Sequence, residues 1–89
     1  MEYRHASQLM VEVERILLDK WDPIGVKGEP MAESEYSTYA GIVTSMLVHG
    51  KSAKAVADYL SRVEREMLAL VPHEDHCQNV ARECHMLLA

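Results

Sequence analysis

The chain has 89 residues, of which 48% are apolar and 26% are charged, as in an ordinary globular protein. This length predicts one helical domain over residues 1–89 with a single hydrophobic core. The net charge of −5 argues against nucleic acid as a partner, because proteins that bind it need basic side chains to neutralise phosphates.

The sequence also argues against membrane insertion and secretion. No apolar run approaches the roughly 20 residues that a membrane-spanning helix needs. Glu2, Glu12 and Glu14 interrupt the apolar stretch that a secretory signal requires. Two cysteines are too few for a disulfide framework. We therefore expect a cytoplasmic protein with no membrane partner.

The first predicted helix runs from about residue 3 to residue 20. One of its faces carries apolar residues at helical spacing: Leu9, Met10, Val13, Ile16 and Leu17. The stretch from Trp21 to Ala32 follows, and its prolines and glycines predict the one long connection of the domain. This connection is unusually apolar, so we expect it to cover the core and to bury Trp21, Ile24 and Val26.

Three further helices are predicted after the connection. The second begins near Ser34, a plausible N-cap, and ends at Gly50. Ser52 caps the third, whose apolar stripe consists of Val56, Tyr59 or Leu60, Val63 and Met67. Because the linker between these two helices is short, we expect them to pack as a hairpin. The fourth begins near Pro72, with acidic residues in its first turn.

No segment alternates in polarity as a strand does. The sequence therefore predicts an all-α fold, a compact four-helix bundle with one long apolar loop between helices 1 and 2.

Two strings of residues resemble a known family. They are the run from Trp21 to Val26, Trp-Asp-Pro-Ile-Gly-Val, and the later Glu-Tyr-x-x-Tyr-Ala string that begins at Glu35. In these strings the chain is similar to a family of small bacterial proteins of unknown function typified by the YugE protein. The resemblance covers roughly residues 17–70. It implies a compact helical fold and a bacterial origin, and it brings no established activity.

The fourth helix contains histidines and cysteines, residue types that bind zinc. His73 and Cys77 share a helix face, but Cys77 and Cys84 are about 10.5 Å apart along a helix axis, too far to share one metal ion. Adjacent Cys84 and His85 point about 100° apart and do not form a thiolate–base pair. We expect no metal, no cofactor and no catalytic residue, with both thiols acting as small apolar groups.

Other distinctive side chains have a structural and a functional interpretation. His49 precedes Gly50 and is expected to cap the second helix. The tyrosines at positions 36, 39 and 59 form part of the core or line a ligand pocket with Trp21. The methionines at positions 10, 46 and 67 fall on core stripes or form a partner-binding groove, and we favour the core for both groups.

The region from residue 12 to residue 35 holds seven acidic and three basic residues, a net charge of −4. This favours a non-enzymatic protein-interaction module that docks on a partner with a basic surface, as an immunity or antitoxin-like protein binds a basic toxin or enzyme. The expected partner-binding residues, with aromatic anchors, are Asp19, Trp21, Asp22, Glu29, Glu33, Glu35 and Tyr36. The alternatives are a merely solvated acidic face, a small-ligand-binding helical domain and a homodimeric structural protein.

Overall fold

A computed structural model describes residues 6–21 and 30–88, with the side chains described for residues 8–21 and 35–88. The helices are α1 (Ala6–Ile16), α2 (Pro30–Val48), α3 (Ala53–Arg62) and α4 (Glu74–Met86). Two of them continue into a π-helical turn, Leu17–Trp21 after α1 and Val63–Met67 after α3. The described residues contain no strand, and the predicted all-α four-helix bundle is confirmed.

The first helix and its π-helical turn present one continuous apolar row to the core. Leu9, Val13, Leu17 and Trp21 are spaced four residues apart, and each is at most 2% exposed. In a regular α-helix, residues at this spacing lie about 40° apart around the axis, so the row drifts away from the core. The wider π-helical turn offsets this drift and keeps Trp21 facing inward. Trp21 is buried as predicted, but it ends a helix instead of opening a loop.

The second helix begins earlier than predicted. It starts at Pro30 and not near Ser34, so part of the predicted connection is helical. The reason is that proline suits the first turn of a helix, where its missing N–H group has no partner to lose. Ile24 and Val26, the other residues that we expected to be buried, lie outside the described residues.

The end of α2 matches the sequence prediction closely. Gly50 adopts a positive φ of 78°. The amide of Gly50 donates to the Leu47 carbonyl at 3.1 Å, and that of Lys51 donates to the Met46 carbonyl at 2.9 Å, the two bonds of a Schellman motif. His49 Nδ1 lies 2.7 Å from the Ser45 carbonyl oxygen, which confirms its capping role.

Ser52 then opens α3, and its hydroxyl accepts a hydrogen bond from the Ala55 amide at 3.1 Å. The predicted hairpin of the second and third helices is wrong, however. Backbone approaches are closest between α1 and α2 and between α3 and α4. The small buried residues Ala57 and Ala81 let α3 and α4 come close together, whereas α2 presents Tyr36 and Tyr39 to the core.

The π-helical turn after α3 changes which residues face the core. The Leu68 amide donates to the Val63 carbonyl five residues earlier, at 3.0 Å. This wider turn leaves Glu64 fully buried and turns Met67 outward, 68% exposed. Met67 was therefore wrongly predicted as a core residue. Met10 and Met46 pack against the core from partly buried positions, in line with the prediction.

The core combines residues from all four helices, and Val43, Val56, Leu60 and Val80 are almost completely buried. Within the described ranges, no helix is both long enough and apolar enough to cross a membrane.

Candidate functional site

Three aromatic rings pack together at the end of the bundle where α1 finishes. The ring centroids of Trp21 and Tyr36 are 5.4 Å apart, and Tyr39 lies 5.8 Å from each of them. Trp21 and Tyr39 meet edge to face, the arrangement that favours contact between a ring edge and a ring face. All three side chains are at most 5% exposed, so the rings belong to the core and present almost no surface to solvent.

A fully buried carboxylate lies against this aromatic cluster. Glu64 Oε2 accepts a hydrogen bond from Trp21 Nε1 at 2.8 Å and one from the Cys77 thiol at 3.1 Å. Glu64 Oε1 accepts a hydrogen bond from the backbone amide of His73 at 2.8 Å. The side chain of His73 is mostly exposed, and its Nδ1 lies 3.5 Å from the same oxygen. We call these four residues, Trp21, Glu64, His73 and Cys77, the carboxylate cluster.

The carboxylate cluster connects three parts of the chain. Trp21 ends the first π-helical turn, Glu64 lies in the second, and His73 and Cys77 belong to the start of α4. A buried carboxylate is costly unless donors replace the lost water, and here three protein donors do so. The sequence pattern gave no sign of this role, because Glu64 falls beside an apolar stripe and turns inward only through the π-helical turn.

The two thiols are held in the protonated state. Burial, reinforced by the hydrogen bond to Glu64, raises the pKa of the Cys77 thiol to about 11. Burial, with a smaller effect of the nearby Glu83 charge, raises the pKa of Cys84 to about 12. Cys84 thus behaves as the predicted small apolar group, whereas Cys77 also serves as a hydrogen-bond donor. Both are free cysteines, and neither is a ready nucleophile at neutral pH.

Two of the predicted partner-binding residues are in the core. Trp21 is 2% exposed and Tyr36 is 1% exposed, so in this conformation neither offers a partner any surface. The prediction that they anchor a partner is not supported by these positions. Their burial follows from the wide helical turn at Trp21 and from the mutual packing of the rings.

Two of the predicted acidic residues are exposed at the same end of the bundle. Asp19 and Glu35 are exposed; Asp19 lies two positions before Trp21 in the chain and Glu35 lies one position before Tyr36, and the rings of Trp21 and Tyr36 contact each other. We call this pair the acidic end. The charge of Glu35 also acts inward, since burial and Glu35 together raise the pKa of Tyr39. Asp22 and Glu29 lie outside the described residues; the backbone of Glu33 belongs to α2, and its side chain is not described.

The outer side of the α3–α4 pair carries a groove that the sequence analysis did not find. Its two adjoining parts have volumes of about 270 Å³ and 330 Å³ and share Ala57 and Gln78. Basic side chains line it at Lys54, Arg62, Arg65 and Arg82. The signal was present in α3 and the π-helical turn after it, where the polar residues at positions 54, 58, 61, 62 and 65 recur at helical spacing.

Among the described side chains, no group of three histidine, cysteine or acidic residues is arranged to hold a metal ion. Comparison of the chain with protein-family models, with curated proteins and with solved structures gave no match. The resemblance to the YugE-like family stays a prediction.

Proposed function

We propose that this chain is a non-enzymatic protein-interaction module whose acidic end docks on a basic surface of a protein partner. The observation that carries this proposal is the exposure of Asp19 and Glu35, which lie in the chain two positions from Trp21 and one position from Tyr36, the two residues whose rings are in contact. The two charges are therefore attached to a part of the domain that the aromatic rings and the carboxylate cluster hold in place.

Surface charges held on a rigid part of a domain favour a role in recognition over a role in catalysis. Charges fixed in one region speed the encounter with an oppositely charged protein and select among partners. Because they are already positioned, little conformational entropy is lost on binding. The region from residue 12 to residue 35 has a net charge of −4, which includes Asp19 and Glu35, and it holds five further acidic residues against three basic ones.

The side chains best suited to catalysis are a buried carboxylate and two buried thiols, and these take part in the structure of the core. The Glu64 carboxylate accepts hydrogen bonds from three protein donors. The raised pKa of about 11 for Cys77 and about 12 for Cys84 keeps both thiols protonated at neutral pH. These arrangements support a binding role, as for an immunity or antitoxin-like protein that blocks a basic toxin or enzyme.

The test is an affinity capture from a lysate of the organism that encodes the chain. Wild type is immobilised beside a variant with Asp19→Asn and Glu35→Gln, and beside a matched control with Asp75→Asn and Glu83→Gln on exposed positions of α4. Both variants lose two negative charges. A partner docked on the acidic end is retained by wild type and by the control, and lost from the acidic-end variant.

Salt provides the second arm of this experiment. The capture is repeated at about 0.1 M and about 1 M salt, where the screening length falls from about 10 Å to about 3 Å. Retention of the same protein by every version at both salt concentrations refutes electrostatic docking. Recovery of the chain alone favours the homodimer, and a melting temperature raised by small molecules favours the ligand-binding alternative.

A further inference from the structure

The α3–α4 groove differs in charge from the rest of the molecule. The chain has nine lysines and arginines against fourteen acidic residues. Four of those nine basic residues line this one groove, at Lys54, Arg62, Arg65 and Arg82. All four side chains are exposed; Arg62 and Arg65 face solvent, whereas Lys54 forms an ion pair with Asp58 and Arg82 donates a hydrogen bond to Asn79. Such a concentration of basic side chains on an acidic protein marks a surface that is complementary to negative charge.

We propose that the α3–α4 groove binds an extended acidic segment of a protein partner. The basic side chains occur along the groove and not around one point, since Lys54 lies near the start of α3 and Arg65 lies in the turn that extends it. At 1.5 Å per residue, these two positions are about 16 Å apart along the helix axis. This length suits several residues of extended chain, which advance about 3.3 Å each.

The floor of the groove suits a peptide backbone. Ala53 and Ala57 present only methyl groups, so a chain can lie close to the helix surface. The exposed amide of Gln78 lines both parts of the groove and can donate to and accept from the peptide groups of a ligand. Arginine, with its planar set of donors, matches a carboxylate in a bidentate way.

The acidic residues of the groove favour a peptide over a compact polyanion. Asp58 forms an ion pair with Lys54 at 3.1 Å, and Glu74 lines the same part of the groove as Arg62 and Arg65. A phosphate group placed beside Arg62 and Arg65 shares this part of the groove with the negative charges of Asp58, on α3, and Glu74, on α4. A peptide whose carboxylates alternate with neutral side chains can place its charges on the arginines and its neutral positions beside Asp58 and Glu74.

The test measures the anisotropy of a fluorescein-labelled, capped peptide of alternating glutamate and alanine during titration with the full chain. The same peptide with glutamine in place of glutamate is the uncharged probe. We expect the glutamate peptide to bind and the glutamine peptide to bind at least tenfold more weakly. The variant with Arg62→Gln and Arg65→Gln is expected to lose about tenfold in affinity, from two exposed charge pairs.

The matched control carries Arg15→Gln and Lys20→Gln, which remove the same charge from exposed positions of α1 and of the π-helical turn that follows it. It is expected to keep wild-type affinity, and circular dichroism verifies that both variants are folded. Absence of binding to the glutamate peptide overturns the proposal. So does an equal loss in both variants, which indicates a general effect of net charge. Complete displacement of the peptide by low-millimolar inorganic phosphate also overturns it, since the groove is then a site for small anions.

Discussion

Trp21 and Glu64 are 43 positions apart in the chain, and the indole Nε1 of one donates to the carboxylate of the other at 2.8 Å. Each residue lies in one of the two π-helical turns, so the hydrogen bond depends on two local departures from regular α-helix. Such departures occur often at functional positions. Here they place a charged acceptor against an aromatic cluster at the end of the bundle that carries Asp19 and Glu35.

Replacement of Glu64 is expected to destabilise the domain strongly. In Glu64→Gln, one oxygen becomes an NH2 group, which then faces either the His73 amide or the Trp21 and Cys77 donors. We expect this mismatch to cost about 2 to 3 kcal/mol, because buried donors then lack an acceptor. Urea denaturation measures the loss. The control is Glu66→Gln, at an exposed position of the same turn, which is expected to change stability by less than about 0.5 kcal/mol.

Trp21 contributes to stability through both its ring and its N–H group. Trp21→Ala removes a ring that packs against two tyrosines and is expected to cost about 3 to 5 kcal/mol. Trp21→Phe retains an aromatic ring but removes the donor to Glu64, and we expect it to cost about 1 to 3 kcal/mol. Thermal unfolding followed by circular dichroism tests both variants. A loss below about 1 kcal/mol for Trp21→Ala contradicts the burial of this side chain.

Residues that follow regular helical spacing could be predicted from the sequence. Leu9, Val13, Val56 and Leu60 are buried as expected, because in an α-helix spacing alone decides which face they occupy. The same rule placed Met67 in the core, where the π-helical turn instead puts Glu64. A local change from α-helix to π-helix depends on contacts with residues far away in the chain. The local spacing of apolar residues carries no information about such contacts.

The candidate site likewise has features that could be predicted from the sequence and features that could not. The exposure of Asp19 and Glu35 agrees with ordinary expectation for charged residues, whereas the buried Tyr36 offers a partner no surface in this conformation. The α3–α4 groove needs these two helices side by side, whereas the short linker after α2 predicts that α3 pairs with α2. Because the wrong pair of helices was predicted, the groove was not predicted, although the polar residues that line it could be read from the sequence.

Replacement of Ala69 by glycine is expected to stabilise the domain. It follows the second π-helical turn with a positive φ of 56°, a conformation that costs an L-residue with a side chain about 1 to 2 kcal/mol. Ala69→Gly removes this strain but gives the unfolded chain more freedom, so we expect a net gain of up to about 1 kcal/mol. Chemical denaturation measures the gain. Ala55→Gly within α3 is the control with the opposite sign, and it is expected to lose about 1 kcal/mol. Equal losses in both variants contradict the left-handed conformation of Ala69.

The buried thiols predict a loss of stability at alkaline pH. The pKa is raised to about 11 at Cys77 and to about 12 at Cys84, while unfolded cysteine ionises near its ordinary pKa of about 8.5. Below that pH both states hold the proton and the stabilisation is complete. Above it only the unfolded state releases the proton, so the free energy of unfolding falls as pH rises towards 11. Each thiol contributes a slope of up to about 1.4 kcal/mol per pH unit in this window.

Replacement of the thiols separates this effect from other alkaline titrations. Tyr39 and Tyr59 also have raised pKa values, so part of the pH dependence is expected to persist when the cysteines are absent. Cys84→Ala is the informative variant, because Cys77 donates a hydrogen bond to Glu64 and its replacement would also disturb the carboxylate cluster. Urea denaturation between about pH 8 and pH 10.5 gives the slope for wild type and variant. A shallower slope for Cys84→Ala agrees with a buried, protonated thiol, and an unchanged slope shows that Cys84 ionises equally in the folded and unfolded chain.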